Sequence, residues 1–171
     1  ASDCARFIVV DVAASERKQA DWTVIQVWDL SNQGDLILVD QDRRRMQTPD
    51  VESAVLEMIH RHSVPWIGVE AAGIGLAVVQ SLRRRGVAVR SLRASGDKLV
   101  RSQSAQIRIE AGTVYFPSDR SWVDELESEL ALFPHAAHDD QVDALSYAAI
   151  WAQRYAGPIR VRRTSPSTAG D

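Results

Sequence analysis

Cysteine is nearly missing from this chain. Cys4 is the only one in 171 residues, which excludes an intramolecular disulfide, and no C-x-x-C pair or Cys/His cluster offers a soft-metal site. A reducing compartment fits that usage. No apolar run approaches the ~20 residues needed to cross a bilayer, and the opening Ala1-Ser2-Asp3-Cys4-Ala5-Arg6 has no signal-peptide pattern. The expectation is a soluble, intracellular protein with no membrane partner. The pattern G-x-x-x-x-G-K-[ST] occurs nowhere, so a phosphate loop of that type is excluded. Gly73 and Gly75 make a lone G-x-G, without the third glycine or following acid of a dinucleotide fingerprint, and read as a tight strand-to-helix turn. There is no internal repeat.

What is present suffices for one core. At 45% hydrophobic and 25% charged residues the chain reads as a single domain, with a flexible basic tail from Gly157 to Asp171. Net charge is -3, but the charges are unevenly placed. Between Arg83 and Arg101 seven cations (Arg83, Arg84, Arg85, Arg90, Arg93, Lys98 and Arg101) face the single anion Asp97, whereas eight acids lie between Asp119 and Asp143. The two segments are either solvated helix faces of opposite sign or a polyanion track beside an acidic, cation-binding centre.

The stretch from Arg6 to Ala14, RFIVVDVAA, is β-branched and apolar, and predicts a buried strand carrying Asp11 near its end. WTVIQVWDL and DLILVDQ, joined by a Ser31 to Gly34 turn, complete an antiparallel meander. A helix follows from Thr48, with Thr48 or Asp50 as its cap, closing before Pro65. Then come a strand at Trp66 to Glu70, a helix to Arg85 stopped by Gly86, and a strand at Val87 to Leu92. A helix from Asp97 to Ala111, a short strand near residues 113–116 and helices at Ser121 to Phe133 and Asp139 to Tyr155 complete the order. Three antiparallel strands followed by alternating helices and strands is the ribonuclease H-like order: a mixed five-stranded α/β sheet, plus the short strand, flanked by helices. The first and fourth strands of such a sheet are parallel neighbours, which brings Asp11 beside Glu70.

His138 to Ala148, HDDQVDALSYA, places three carboxylates within five residues. Asp140 and Asp143 are spaced i,i+3 and Asp139 and Asp143 i,i+4, so all three can share a helix face. Asp139 and Asp140 would also suit a helix N-terminus as caps, but that leaves Asp143 unexplained. A hard divalent cation explains all three, because Mg²⁺ and Mn²⁺ take carboxylate oxygens, and two such ions about 3.5–4 Å apart form a phosphodiester-cleaving site.

VVDVAAS with ADWTVIQVW, VEAAGIG with LRRRG, GDKLVRSQSAQIRIEAGTVYFP and FPHAAHDDQVDALSYA resemble, in that order and over roughly residues 6–152, the C-terminal nuclease domain of the large terminase subunit of tailed bacteriophages. The resemblance implies a metal-dependent endonuclease cutting concatemeric double-stranded DNA in the cytoplasm of the bacterial host. Its partners would be a packaging ATPase domain absent from this chain, the portal and the small terminase subunit. It implies Asp11, Glu70 and Asp143 as catalytic residues, and Asp11, Glu70, Asp140 and Asp143, with Asp139 as a further candidate, as ligands of two Mg²⁺ or Mn²⁺ ions. One ion would lie between Asp11 and the late-helix aspartates and the other between Asp11 and Glu70. Accessory candidates are Lys98, as a point charge on a phosphate or a solvated lysine; His138, as an orienting group or a surface histidine; and Asp21, as a ligand or a loop acid. The seven cations from Arg83 to Arg101 would grip DNA backbone without reading sequence. None of the five tryptophans is assigned to base stacking. A Holliday-junction resolvase or ribonuclease H shares these acids, and a non-catalytic DNA-docking module would use them only to cap a helix or hold a structural ion.

Overall fold

A computed structural model describes residues 4–12, 22–93 and 98–156. Asp21 and the tail from Gly157 lie outside them. The chain forms β1 (Cys4–Asp11), β2 (Thr23–Ser31), β3 (Leu36–Arg44), α1 (Thr48–His62), β4 (Ile67–Glu70), α2 (Ile74–Arg84), β5 (Val89–Leu92), α3 (Lys98–Glu110), β6 (Val114–Tyr115), α4 (Val123–Leu132) and α5 (Asp140–Ala156). The strands make one sheet in the order β5-β4-β1-β2-β3-β6. β1, β2 and β3 pair antiparallel, while β4 is parallel to both β1 and β5, so the expected mixed sheet and the β1 to β4 adjacency are present. The short strand β6 extends the sheet to six by pairing parallel with β3.

β1 and β2 are buried on both faces, and their side chains divide by alternation. Phe7, Val9, Val24 and Trp28 pack on one face with Ala105 of α3, Leu126 of α4 and the small residues Ala144, Ala148, Ala149 and Ala152 of α5. Ile8, Val10, Ile25 and Val27 pack on the other with Val51 and Val55 of α1 and Val78, Val79 and Leu82 of α2. The alanine stripe lets α5 lie close to the sheet. Its far end is fixed by a ring stack: the Trp66 and Trp151 centroids are 3.8 Å apart and those of Trp151 and Tyr155 3.7 Å. Arg90 lies about 5 Å over these rings and bonds the Tyr155 hydroxyl.

One boundary feature differs from the sequence reading. The N-cap of α1 is Gln47, with no side-chain cap bond, rather than Thr48 or Asp50. Pro49 in the first turn supplies no N–H, so one of the donors that a capping side chain would serve does not exist.

Candidate active site

β1 and β4 run side by side, and each ends on a carboxylate, Asp11 on β1 and Glu70 on β4. Side chains at the C-terminal ends of adjacent parallel strands open into a common crevice. The chain then enters α2 with no slack. Gly73 has φ 50°, in the left-handed region, and a Cβ on Gly75 would stand 1.9 Å from the Glu70 carbonyl oxygen. The two glycines make the tight turn that their sequence suggested.

A cavity of about 320 Å³ opens over these strand ends, lined by Asp11, Glu70, Lys98, His138, Asp139, Asp140, Asp143 and Trp22. Asp11 is 8% exposed. Burial pushes its carboxyl well above the usual range, and the adjoining Glu70, by hydrogen bonding and charge, adds to the effect ahead of Asp143 and Asp140. Four acids from three elements thus act on one another. Burial likewise raises Asp143, against the opposing pull of Lys98. It raises Asp140 to about 6, where Glu129 adds to the rise and Arg43 opposes it.

The start of α5 sets the third group of acids. The backbone N–H groups of Gln141 and Val142 donate to one Glu129 carboxylate oxygen at 2.8 and 3.0 Å, and the Gln141 side-chain amide donates to the other at 2.7 Å. A carboxylate from α4 therefore takes the first-turn donors that a capping Asp139 would have served. Gln141 continues the network, accepting from Gln41, while Gln26 donates to Gln41 and accepts from Trp28. This buried polar chain ties β2, β3, α4 and α5 together under the cavity.

The three aspartates do not point at the same neighbour. Lys98 Nζ lies 2.5 Å from Asp139 Oδ2 and 2.7 Å from Asp143 Oδ2. Burial alone would lower the lysine, but the two carboxylates outweigh it and raise its pKa. Asp140 instead faces Arg43 at 3.8 Å. That guanidinium, 7% exposed, also pairs with Glu125 and Glu129 and lies 4.5 Å over the Trp22 ring. Trp22 meets His138 edge-on. Arg101 Nη2 approaches Asp143 to 3.8 Å, and the buried Tyr147 hydroxyl faces Glu70, burial and that charge raising its pKa.

Among the described residues no three His, Cys, Asp or Glu side chains stand close enough, as placed, to enclose a metal ion. Lys98 takes the space between Asp139 and Asp143. The donor chemistry nevertheless fits a hard divalent cation: the cavity gathers carboxylate oxygens, and one of them, Asp140 Oδ2, is buried with no hydrogen-bond partner.

The family model described as the terminase RNaseH-like domain matches residues 8–151. This chain belongs to that family. No curated protein matches it. Among solved structures, the large terminase nuclease of thermophilic phage G20c with bound magnesium superposes with a TM-score of 0.68 at 20% identity, over 86% of this chain and 82% of that one. The same nuclease with bound zinc gives 0.64 at 23% identity, over 85% and 80%. The Thermus phage P74-26 large terminase nuclease domain gives 0.66 at 20%, over 85% and 78%. RuvC of T. thermophilus with a Holliday junction substrate shares the fold more distantly, with a TM-score of 0.52 at 13% identity, over 89% and 96%.

In this terminase domain the cations that are contiguous in sequence are divided in space. Arg83, Arg84 and Arg85 end α2, on the α1 side of the sheet, while Lys98 and Arg101 belong to α3 on the opposite side. Arg83 is spent on the Val89 carbonyl and the Ser91 hydroxyl, Arg85 on Glu52 at 3.5 Å, and Arg90 on the ring stack. Sequence reading missed Arg43, Glu129 and Tyr147, whose relevance to the cavity comes from tertiary packing and from no local motif. Among the described residues no helix is long and apolar enough to cross a membrane.

Proposed function

We propose that this terminase domain is a metal-dependent endonuclease that cuts concatemeric double-stranded DNA in the host cytoplasm, with little intrinsic sequence preference. The observation that carries this reading is the convergence of Asp11, Glu70, Asp140 and Asp143 on a single buried cavity at the ends of β1, β4 and α5. Acids so placed repel one another unless protons or cations intervene. Those four residues, with Asp139 as the remaining candidate, would hold two Mg²⁺ or Mn²⁺ ions. Bound there, the ions supply the Lewis acidity that activates water and stabilises a leaving 3′ oxygen. The related phage nucleases hold magnesium, zinc or cobalt, which supports a divalent requirement here.

The chain's own residues prepare the site. Burial and the adjoining Glu70 push the Asp11 carboxyl well above the usual range, so cation binding there would compete with protons. Lys98 bridges Asp139 and Asp143, offsetting part of their charge, and is placed to meet an incoming phosphate, while Arg43 and Glu129 hold the start of α5 in position. Products carry 5′-phosphate and 3′-hydroxyl ends. The ATPase domain, portal and small subunit of a packaging motor are the proposed partners.

The test is plasmid nicking. Purified protein should nick and linearise plasmid in Mg²⁺ or Mn²⁺ and stop in EDTA, and robust cleavage in EDTA would overturn the reading. Competition with branched DNA and with RNA:DNA hybrid separates a terminase nuclease from a junction resolvase or ribonuclease H. Preferential cutting of either competitor would reassign the substrate.

A further inference from the structure

A second cavity, of about 270 Å³, lies between the end of β5, α3 and α5. Arg93, Arg101 and Arg154 reach it from those three elements, Tyr147 and Trp151 wall it, and Ser91 adds a hydroxyl. No acid lines it. Arg101 is tied on one side to Asp143 at 3.8 Å and lies 5.8 Å from the Tyr147 ring centroid. Arg93 and Arg154 are exposed and, among the described residues, have no ion-pair partner. Arg93 and Arg154, beside an Arg101 that Asp143 already engages, leave this cavity positively charged, which favours an anion between them. The fork geometry of arginine suits phosphate oxygens.

We propose that this cavity binds a backbone phosphate of the cleaved DNA strand, next to the scissile bond, and so sets the strand's register over Asp11 and Glu70. The proposal rests on the nuclease reading. Its geometry supports a phosphate of the substrate rather than a separate ligand, because two residues that line this cavity adjoin acids that line the catalytic one: Arg101 lies 3.8 Å from Asp143 and Tyr147 faces Glu70. The volume is below the ~300–1,000 Å³ usual for small-molecule pockets, and suits a single phosphate group with its sugar edge. Arg154 lies outside the basic segment that the sequence marks. It reaches the cavity because α5 returns across the sheet beside β1 with Trp151 stacked on Trp66.

The experiment measures binding of a fluorescein-labelled duplex in Ca²⁺ across a salt series, and cleavage kinetics in Mg²⁺. Arg93→Ala and Arg154→Ala should each weaken duplex binding roughly tenfold, flatten the log K against log salt slope by about 0.9, and raise KM for DNA while also lowering kcat, because a strand out of register is misplaced over Asp11 and Glu70. Arg154→Lys should keep most of the slope, and Arg61→Ala, on the opposite side of the sheet, should leave it unchanged. Circular dichroism checks the fold of each variant. Folded Arg93→Ala and Arg154→Ala proteins with the parent's slope and KM would overturn the subsite while leaving a cleaving parent, and hence the nuclease reading, intact. A parent that binds duplex but never cuts it would instead remove the nuclease reading, and with it the strand register assigned to this cavity. Inorganic phosphate that binds the parent as tightly as the duplex does, and is lost in Arg154→Ala, would assign the cavity to a free anion and also overturn the proposal.

Discussion

Asp140 and Asp143 stand one turn apart on α5 yet answer to different partners, the first to Arg43 and the second to Lys98. Burial raises both above their ordinary value, so folding without a cation disfavours their charged forms relative to the unfolded chain. Asp143→Asn should therefore abolish cleavage while leaving the metal-free melting temperature at or above the parent's. A loss of stability with activity retained would mark Asp143 as structural. Asp140 carries a pH signature. With its carboxyl at about 6 in the fold against an ordinary 3.8, the folded state keeps a proton that the unfolded chain has lost, so this group's contribution to stability falls as pH rises through that window. Melting in EDTA from about pH 4 to pH 6.5 should show that fall in the parent and a flatter profile in Asp140→Asn. Asp11 and Glu70 were legible because a strand-final acid before a turn is visible in sequence. The split between Asp140 and Asp143 was not, since it depends on Arg43, whose approach is fixed only when β3 and α4 pack together.

At the scale of elements, α5 begins where α4 allows. Its first-turn amides end on Glu129, which is 6% exposed and also lies 3.7 Å from Arg43. Glu129→Ala removes a cap and strands the buried Gln141 amide, a combined loss of about 2–4 kcal/mol. Thermal melting should show that loss. Cleavage should fall further than the lost stability accounts for, measured well below the melting transition, because Asp140 and Asp143 ride on the displaced turn. The helix itself was readable from its apolar period and its acids. The cap was not, because a carboxylate eleven residues upstream of Asp140 belongs to no local capping motif.

For the whole molecule, the sheet order followed from the order of elements, since a meander followed by right-handed crossovers leaves few arrangements. What sequence order could not convey is which helix covers which face, and so the cations from Arg83 to Arg101 read as one stripe although the sheet stands between their two ends. On the function proposed above, cation binding would be a property of the entire fold, because the acids come from β1, β4 and α5 and meet only when all three are in place. Mn²⁺ should therefore raise the melting temperature of the parent by mass action, with about 2.7 kcal/mol at a hundred times its Kd, and raise that of Asp11→Asn far less. An equal shift in both would place the ion elsewhere. The turn after Glu70 carries a further consequence for descent. Gly75 has no side chain to offer any chemistry, yet any replacement would press on the carbonyl of Glu70, one of the acids proposed to hold the cations. Among functioning relatives this position should be inherited as strictly as the acids themselves, its constancy reflecting a space that must stay empty.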